Sequence, residues 1–166
     1  MLRLTLVRHA KTAPAHHGQE DWDRELEAKG RYEAQMMGQR LKDRDLVPDL
    51  LITSPAVRAR STTQILAQQL KVRSNHIIEN EQLYLASAEV MLVVLKEQAA
   101  KHQHIFIVGH NPGITEFADR LSQDRPIDNM PTCAVFTLEF DATSWGDVEW
   151  RSGMNAQFDY PASYAG

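Results

Sequence analysis

Short apolar segments alternate with longer amphipathic ones along this chain, and this alternation restricts the fold more than any other feature. Four segments are short and almost wholly apolar, as expected of buried strands, namely 2–7, 49–53, 77–78 and 104–109. Four longer segments carry apolar residues at helical spacing, namely 30–44, 55–70, 88–100 and 112–121. Strands that alternate with helices predict an α/β fold of three layers, with helices on both faces of a mostly parallel central sheet.

The C-terminal part of the chain has a different pattern. Residues 134–140 alternate in the manner of a strand, and 148–151 are predicted to pair with them across a turn that contains Gly146. This predicts an antiparallel C-terminal extension of the sheet. Three helix starts are also predicted from capping patterns, with Ser54-Pro55 and Asn111-Pro112 as N-cap and first helical residue and Ser87 as the cap of the third helix.

Composition excludes several classes of protein. The chain has 166 residues, which we interpret as a single domain over 1–166. Its 18 basic and 22 acidic side chains give a net charge of −4, so no general positive field attracts nucleic acid or an anionic membrane. An anion must therefore be held by a local cluster. One cysteine excludes an internal disulfide framework, and the absence of a long apolar run or a signal-like N-terminus leads us to expect a cytoplasmic protein.

Arginine and histidine side chains follow three of the predicted strands. Arg8 and His9 come directly after the first strand, Arg58 follows the second, and His110 follows the fourth. In parallel sheets, ligands bind beyond the carboxyl ends of the strands, so we expect these four residues to meet. The arginine forks match phosphate oxygens, one neutral histidine can attack phosphorus, and the other, protonated, can stabilise the transferring group. The pattern predicts a site for phosphoryl chemistry.

Five runs of sequence, in order along the chain, are similar to the motifs of one enzyme family. The run Leu-Val-Arg-His-Ala-Lys-Thr at 6–12 resembles its Arg-His-Gly signature, with Ala10 in place of the glycine. The other runs are Asp-Arg-Glu-Leu-Glu-Ala-Lys-Gly at 23–30, with Glu25 where proline is usual, Ser-Pro-Ala-Val-Arg-Ala-Arg-Ser-Thr at 54–62, Gly-His-Asn-Pro-Gly at 109–113 and Met-Pro-Thr-Cys-Ala at 130–134. The chain thus resembles the histidine phosphatase superfamily, also called phosphoglycerate-mutase-like, and in particular its SixA-like phosphohistidine phosphatases.

The resemblance implies a role for each residue at the predicted site. It implies that His9 is the phosphorylated nucleophile, that Arg8 and Arg58 hold the phosphoryl oxygens, and that His110 completes the pocket and stabilises the transition state. Two further phosphate contacts are expected beside these positions, from Thr12 and Asn111.

The proton donor is the least determined residue of the predicted site. The resemblance implies a glutamate shortly after the third strand, as in most of the superfamily. Glu81 fits that position best, because the SixA-like branch tends to show a Glu-x-Leu pattern there. Asp21 and Asp23 are rivals, since the loop that follows His9 could fold over the site. A leaving imidazole that enters protonated depends less on such an acid than a leaving alkoxide does.

The function expected from the resemblance is a phosphatase that acts through a covalent phosphohistidine, with a phosphohistidine-bearing protein as its substrate. The short interval between Arg58 and His110 leaves little room for a lid, which suits a bulky substrate. Two alternatives stay open, a small-molecule phosphomonoesterase and a phosphate-binding module without turnover. No cofactor and no metal are expected, because the pair His16-His17 and the pair of His102 and His104 each lack a convincing third ligand.

Overall fold

One sheet forms the centre of the computed structural model, which describes residues 1–164 and side chains as far as residue 162. Its six strands within that range are β1 (Leu2–Arg8), β2 (Leu50–Thr53), β3 (Ile77–Glu79), β4 (His104–Gly109), β5 (Val135–Phe140) and β6 (Met154–Asp159). They lie in the order β3-β2-β4-β1-β5-β6. The first four strands are parallel to one another, whereas β5 and β6 are antiparallel to their neighbours. The predicted mostly parallel sheet with an antiparallel extension is confirmed.

Helices cover both faces of this sheet. They are α1 (Ala28–Asp43), α2 (Val57–Leu70), α3 (Ala88–Lys96) and α4 (Gly113–Leu121). Because successive strand residues point to opposite faces, β4 supplies two cores. Ile105 packs in the same core as Phe117 of α4, while Phe106 packs with Met37 of α1 and Leu66 of α2. The three-layer arrangement is therefore confirmed. Within the described range, no helix combines the length and apolar character needed to cross a bilayer.

The last strand lies later in the chain than the sequence predicts. Residues 148–151 do not pair with β5, and the partner strand is β6 at Met154–Asp159. The connection is long because Trp145 is fully buried in a 3₁₀ turn, where its indole N–H donates to the main-chain oxygen of His102 at 2.6 Å. Burying that indole takes the chain away from the sheet edge before it returns as β6.

Two of the predicted helix caps are also wrong. α2 begins at Val57 after Ala56, and α4 begins at Gly113 after Pro112, with no side-chain cap at either start. Ser54 lies too early to cap α2, and its hydroxyl is engaged elsewhere, as described below. The third cap is confirmed, because the Ser87 hydroxyl accepts a hydrogen bond from the main-chain N–H of Val90 at 3.2 Å.

Candidate active site

A cleft of about 400 Å³ lies where β1, β2 and β4 end at the same edge of the sheet. Since these three strands are neighbours and parallel, the residues that follow them meet there. The cleft is lined by six of the predicted residues, Arg8, His9, Thr12, Arg58, His110 and Asn111, together with Lys11, Asp21, Arg24, Leu85 and Thr132. Glu81 does not line it.

The imidazole of His9 is held in one orientation at the end of β1. Its Nδ1 lies 2.9 Å from the main-chain oxygen of Ala10, which can only accept, so Nδ1 carries the proton and donates. The ring is buried, and burial lowers its pKa to about 4. At neutral pH the ring is therefore uncharged, and its Nε2 carries a lone pair. This is the protonation state that a nucleophilic histidine requires.

His110 lies beside His9, with 5.3 Å between the ring centroids. Its Nε2 is 2.7 Å from the hydroxyl of Ser54, which also accepts from the main-chain N–H of Ala56 at 3.3 Å. Its Nδ1 is buried and has no hydrogen-bond partner within residues 1–162. Burial, followed by the proximity of His9 and Arg58, lowers the pKa of His110 to about 3. Both histidines are consequently uncharged at neutral pH.

Three arginines give the cleft its positive charge. Arg58 is 4% exposed although it carries a full charge, and Arg8 is half-buried, with its Nη1 donating to the main-chain oxygen of Met130 at 3.0 Å. The third is Arg24, whose Nε donates to the main-chain oxygen of Ala13 at 3.1 Å. Our sequence reasoning gave Arg24 no role, although it lies in the 23–30 run. Three guanidinium groups around two neutral imidazoles form a site for a multiply charged oxyanion.

One carboxylate enters this cluster from the loop that follows His9. Asp21 begins a 3₁₀ turn at Asp21–Asp23. Its Oδ2 lies 3.0 Å from Nη2 of Arg58 and accepts from the Tyr84 hydroxyl, while its Oδ1 lies 3.1 Å from Nη1 of Arg24. The hydrogen bond from Tyr84, followed by those from the two arginines, lowers the pKa of Asp21 to about 2. Asp21 is therefore ionised at neutral pH.

The structure separates the three candidate proton donors. Glu81 begins a 3₁₀ turn at Glu81–Leu83 and is exposed, because the turn is fixed by the buried side chain of Leu83. Asp23 is exposed and does not line the cleft either. Among the described residues that line the cleft, Asp21 is the only carboxylic acid, and it is ionised.

Thr12 and Asn111, the two further side chains predicted to contact phosphate, form hydrogen bonds within the protein. The Thr12 hydroxyl donates to the main-chain oxygen of Ala10 at 2.9 Å and lies 3.2 Å from Nδ1 of His9, so it helps to fix the orientation of the His9 ring. The Asn111 amide donates to Asn129 and to the main-chain oxygen of Met130, at 3.0 and 3.1 Å. These bonds connect the start of α4 to the segment around Met130, whose main-chain oxygen also accepts from Arg8.

The remaining histidines and the cysteine lie outside this chemistry. His104 is buried and its Nε2 lies 2.9 Å from the Thr5 hydroxyl. Cys133 is fully buried, which raises the pKa of its thiol to about 12. Within the part of the chain that the structure describes, no group of three or more histidine, cysteine, aspartate or glutamate residues is arranged to hold a metal ion.

Comparison with known proteins points in the same direction as the geometry. A sequence model described as histidine phosphatase superfamily (branch 1) matches residues 4–84. The fold matches a proposed phosphohistidine phosphatase SixA from Agrobacterium tumefaciens with a TM-score of 0.80 and 28% identity, covering 94% of this chain and 97% of that one. It also matches the protein histidine phosphatase SixA in complex with tungstate, with a TM-score of 0.79, 18% identity and coverage of 98% and 99%. An uncharacterised chloroplastic protein of Arabidopsis thaliana is 27% identical over 159 residues, which are 91% of this chain and 72% of that protein.

Proposed function

We propose that this chain is a phosphatase of the histidine phosphatase superfamily, whose sequence model matches residues 4–84. It removes the phosphoryl group from phosphohistidine in proteins by way of a covalent intermediate on His9. The choice of substrate rests on the protonation state of Asp21, which is the only carboxylic acid among the described residues that line the cleft. Asp21 is ionised and bonded to two arginines, so it holds no proton for a leaving group.

In the first step, Nε2 of His9 attacks phosphorus as the nitrogen–phosphorus bond of the substrate breaks. Arg8 and Arg58 hold the phosphoryl oxygens during the transfer, and Arg24 adds a third positive charge. The proton on Nδ1 of His9 stays on that nitrogen throughout, where it is donated in a hydrogen bond to the Ala10 oxygen. If the substrate ring is likewise protonated on its other nitrogen, it leaves as neutral imidazole. The transfer from one imidazole to another requires no net proton transfer.

In the second step, water attacks phosphorus and the bond to Nε2 of His9 breaks. Both protons of the water stay on the phosphate oxygens or pass to solvent, and His9 returns to the neutral form with its proton still on Nδ1. His110 and the arginines stabilise the charge on the three equatorial oxygens in both steps. Both steps of this reaction therefore need no protein group beyond the histidines and arginines that line the cleft.

A phosphate monoester makes a different demand on the site. Its leaving group is an alkoxide, which needs a proton as the bond breaks, and general acids contribute about 10²- to 10⁴-fold to such steps. Asp21 cannot supply that proton at neutral pH, and Glu81 lies outside the cleft. Phosphohistidine is therefore favoured over a sugar or nucleotide phosphate. The fold match to a proposed phosphohistidine phosphatase at 28% identity gives independent support.

The proposal is tested by comparing turnover of a protein phosphorylated on histidine with turnover of a panel of sugar and nucleotide phosphates. We expect the phosphohistidine protein to be dephosphorylated faster, and rapid quenching in alkaline denaturant to trap an alkali-stable, acid-labile phosphate on the enzyme. His9→Ala is expected to abolish both, with a fall in rate of about a thousandfold or more. His16→Ala is the matched control, because His16 is exposed and lies outside the cleft.

Faster release of phosphate from the metabolite panel would instead make the protein a small-molecule phosphomonoesterase. Phosphate binding without any turnover would make it a binding module. Turnover that survives His9→Ala would contradict the covalent mechanism itself.

A further inference from the structure

The cleft contains one side chain that does not suit an oxyanion site. Leu85 is the only apolar residue among the described residues that line it; the others are basic, acidic or hydrogen-bonding. A leucine cannot donate to a phosphoryl oxygen. Its contribution to a bound substrate must therefore concern a different part of that molecule.

Leu85 is held there against two local preferences. Its side chain is 56% exposed, so it gains little from burial in the protein itself. Its backbone has φ of +51°, a left-handed conformation in which a branched side chain is strained. Residues held in such conformations cluster at functional sites. The same exposed, strained position would be served better by asparagine or glycine if only folding mattered.

The neighbouring residues fix Leu85 on both sides. Tyr84 donates from its hydroxyl to Asp21, and its ring lies edge-on to His110 with 5.6 Å between centroids. Ala86 packs so closely on the start of α4 that a Cβ added at Gly113 would lie 1.8 Å from the Ala86 oxygen. Leu85 therefore stands on a segment that is anchored at the cleft, and its exposure places it at the rim of the cleft that also contains the buried His9.

We infer that Leu85 is a specificity-determining residue that contacts the leaving group and favours a flat, weakly polar one such as an imidazole ring. This inference rests on the proposed function. The leaving group must depart from the phosphorus on the side away from His9, that is, outward past the rim. The face of an imidazole ring can pack against leucine. A sugar presents hydroxyl groups that would lose hydrogen bonds to water there without replacement.

The experiment compares two nitrogen–phosphorus substrates that differ only in leaving group. Phosphoramidate releases ammonia, which is too small to reach the rim, whereas a phosphohistidine peptide releases an imidazole ring. In Leu85→Asn we expect kcat/KM for the peptide to fall about fivefold to tenfold and that for phosphoramidate to stay within about twofold. Asparagine tolerates the left-handed conformation, so this variant is expected to fold. Leu85→Met, which keeps an apolar side chain, is expected to retain the wild-type ratio.

Val47→Asn is the matched control, since Val47 is also an exposed apolar residue in a loop but does not line the cleft. An unchanged ratio of the two substrates in Leu85→Asn would overturn the inference while leaving the proposed function intact. An equal loss on both substrates would overturn it as well, because Leu85 would then serve the phosphoryl site or the fold. Failure of the wild-type protein to act on either substrate would remove the proposed function and the inference together.

Discussion

Asp21 and Arg58 form a two-point contact across the cleft, in which Nη2 of Arg58 donates to the Asp21 carboxylate at 3.0 Å and Nη1 donates to its main-chain oxygen at 2.8 Å. Arg58 is one of the two arginines, with Arg8, that we expect to hold a phosphoryl group. Its two terminal nitrogens thus donate to oxygen atoms of one residue. A phosphoryl group that enters the cleft must share Arg58 with this carboxylate or displace it.

Removal of the Asp21 charge is therefore expected to tighten phosphate binding. In Asp21→Asn, the incoming phosphate no longer competes with a carboxylate or meets its repulsion, and we expect the inhibition constant of inorganic phosphate to fall about threefold to tenfold. The gain should shrink as salt is added, because the Asp21 side chain is 45% exposed. Competitive inhibition measured at two ionic strengths provides the check. Weaker phosphate binding in this variant would mean that Asp21 instead holds Arg58 in its working orientation.

The two cleft histidines are expected to titrate well below neutral pH. Burial lowers the pKa of His9 to about 4 and that of His110 to about 3, so both rings are protonated only in stronger acid and are neutral from about pH 5 upward. Inorganic phosphate should raise both pKa values, since its negative charge stabilises the imidazolium form. NMR titration of the ring protons, assigned with His9→Ala, with and without phosphate, tests both statements. A midpoint for His9 near 6.5 in the phosphate-free protein would contradict the buried, neutral nucleophile.

Stability is expected to decrease in mild acid because of His104. Burial lowers the pKa of this ring from 6.5 to about 4, so between these values the unfolded chain binds more protons than the folded one. The contribution of His104 is complete above pH 6.5 and is lost as the pH falls, by about 3 kcal/mol at pH 4. Urea unfolding at pH 7 and pH 4.5 measures the loss. His104→Gln, which cannot titrate, should lose distinctly less stability than the wild type over this interval, and equal losses would refute the assignment.

Gly113 is expected to tolerate no side chain. An added Cβ would lie 1.8 Å from the main-chain oxygen of Ala86, so Gly113→Ala must push α4 away from the segment that carries Leu85. We expect a loss of about 2 kcal/mol or more in the free energy of unfolding, together with reduced activity. Gly109→Ala is the matched control, because its added Cβ would meet only side-chain carbons at 3.6 Å. Similar effects of the two substitutions would show that the close approach at Gly113 is unimportant.

Local patterns in the sequence were sufficient to predict the sheet and the residues that follow its strands into the cleft. Buried parallel strands are short apolar runs, and the residues that follow them must gather at one edge of the sheet. Arg8, His9, Arg58 and His110 could be brought together on this basis alone, before any distance was available. Their chemical roles come from the resemblance and are predictions that the experiments above test.

The rim of the cleft was decided by tertiary structure. Asp21 and Arg24 belong to a loop, and Tyr84 and Leu85 follow a 3₁₀ turn, where no helical or strand periodicity fixes the direction of a side chain. Their positions depend on which neighbours are buried, such as Leu83 beneath the turn that leaves Glu81 in solvent.

The sequence by itself therefore determined the architecture and which residues gather at the buried end of the cleft, because both follow from strand order and from the residues at the strand ends. Only the tertiary structure decided which carboxylate meets the arginines and which apolar side chain lines the cleft. The physical reason is that loop side chains are placed by packing and ion pairing with residues far along the chain, as Asp21 is by Arg58 and Tyr84.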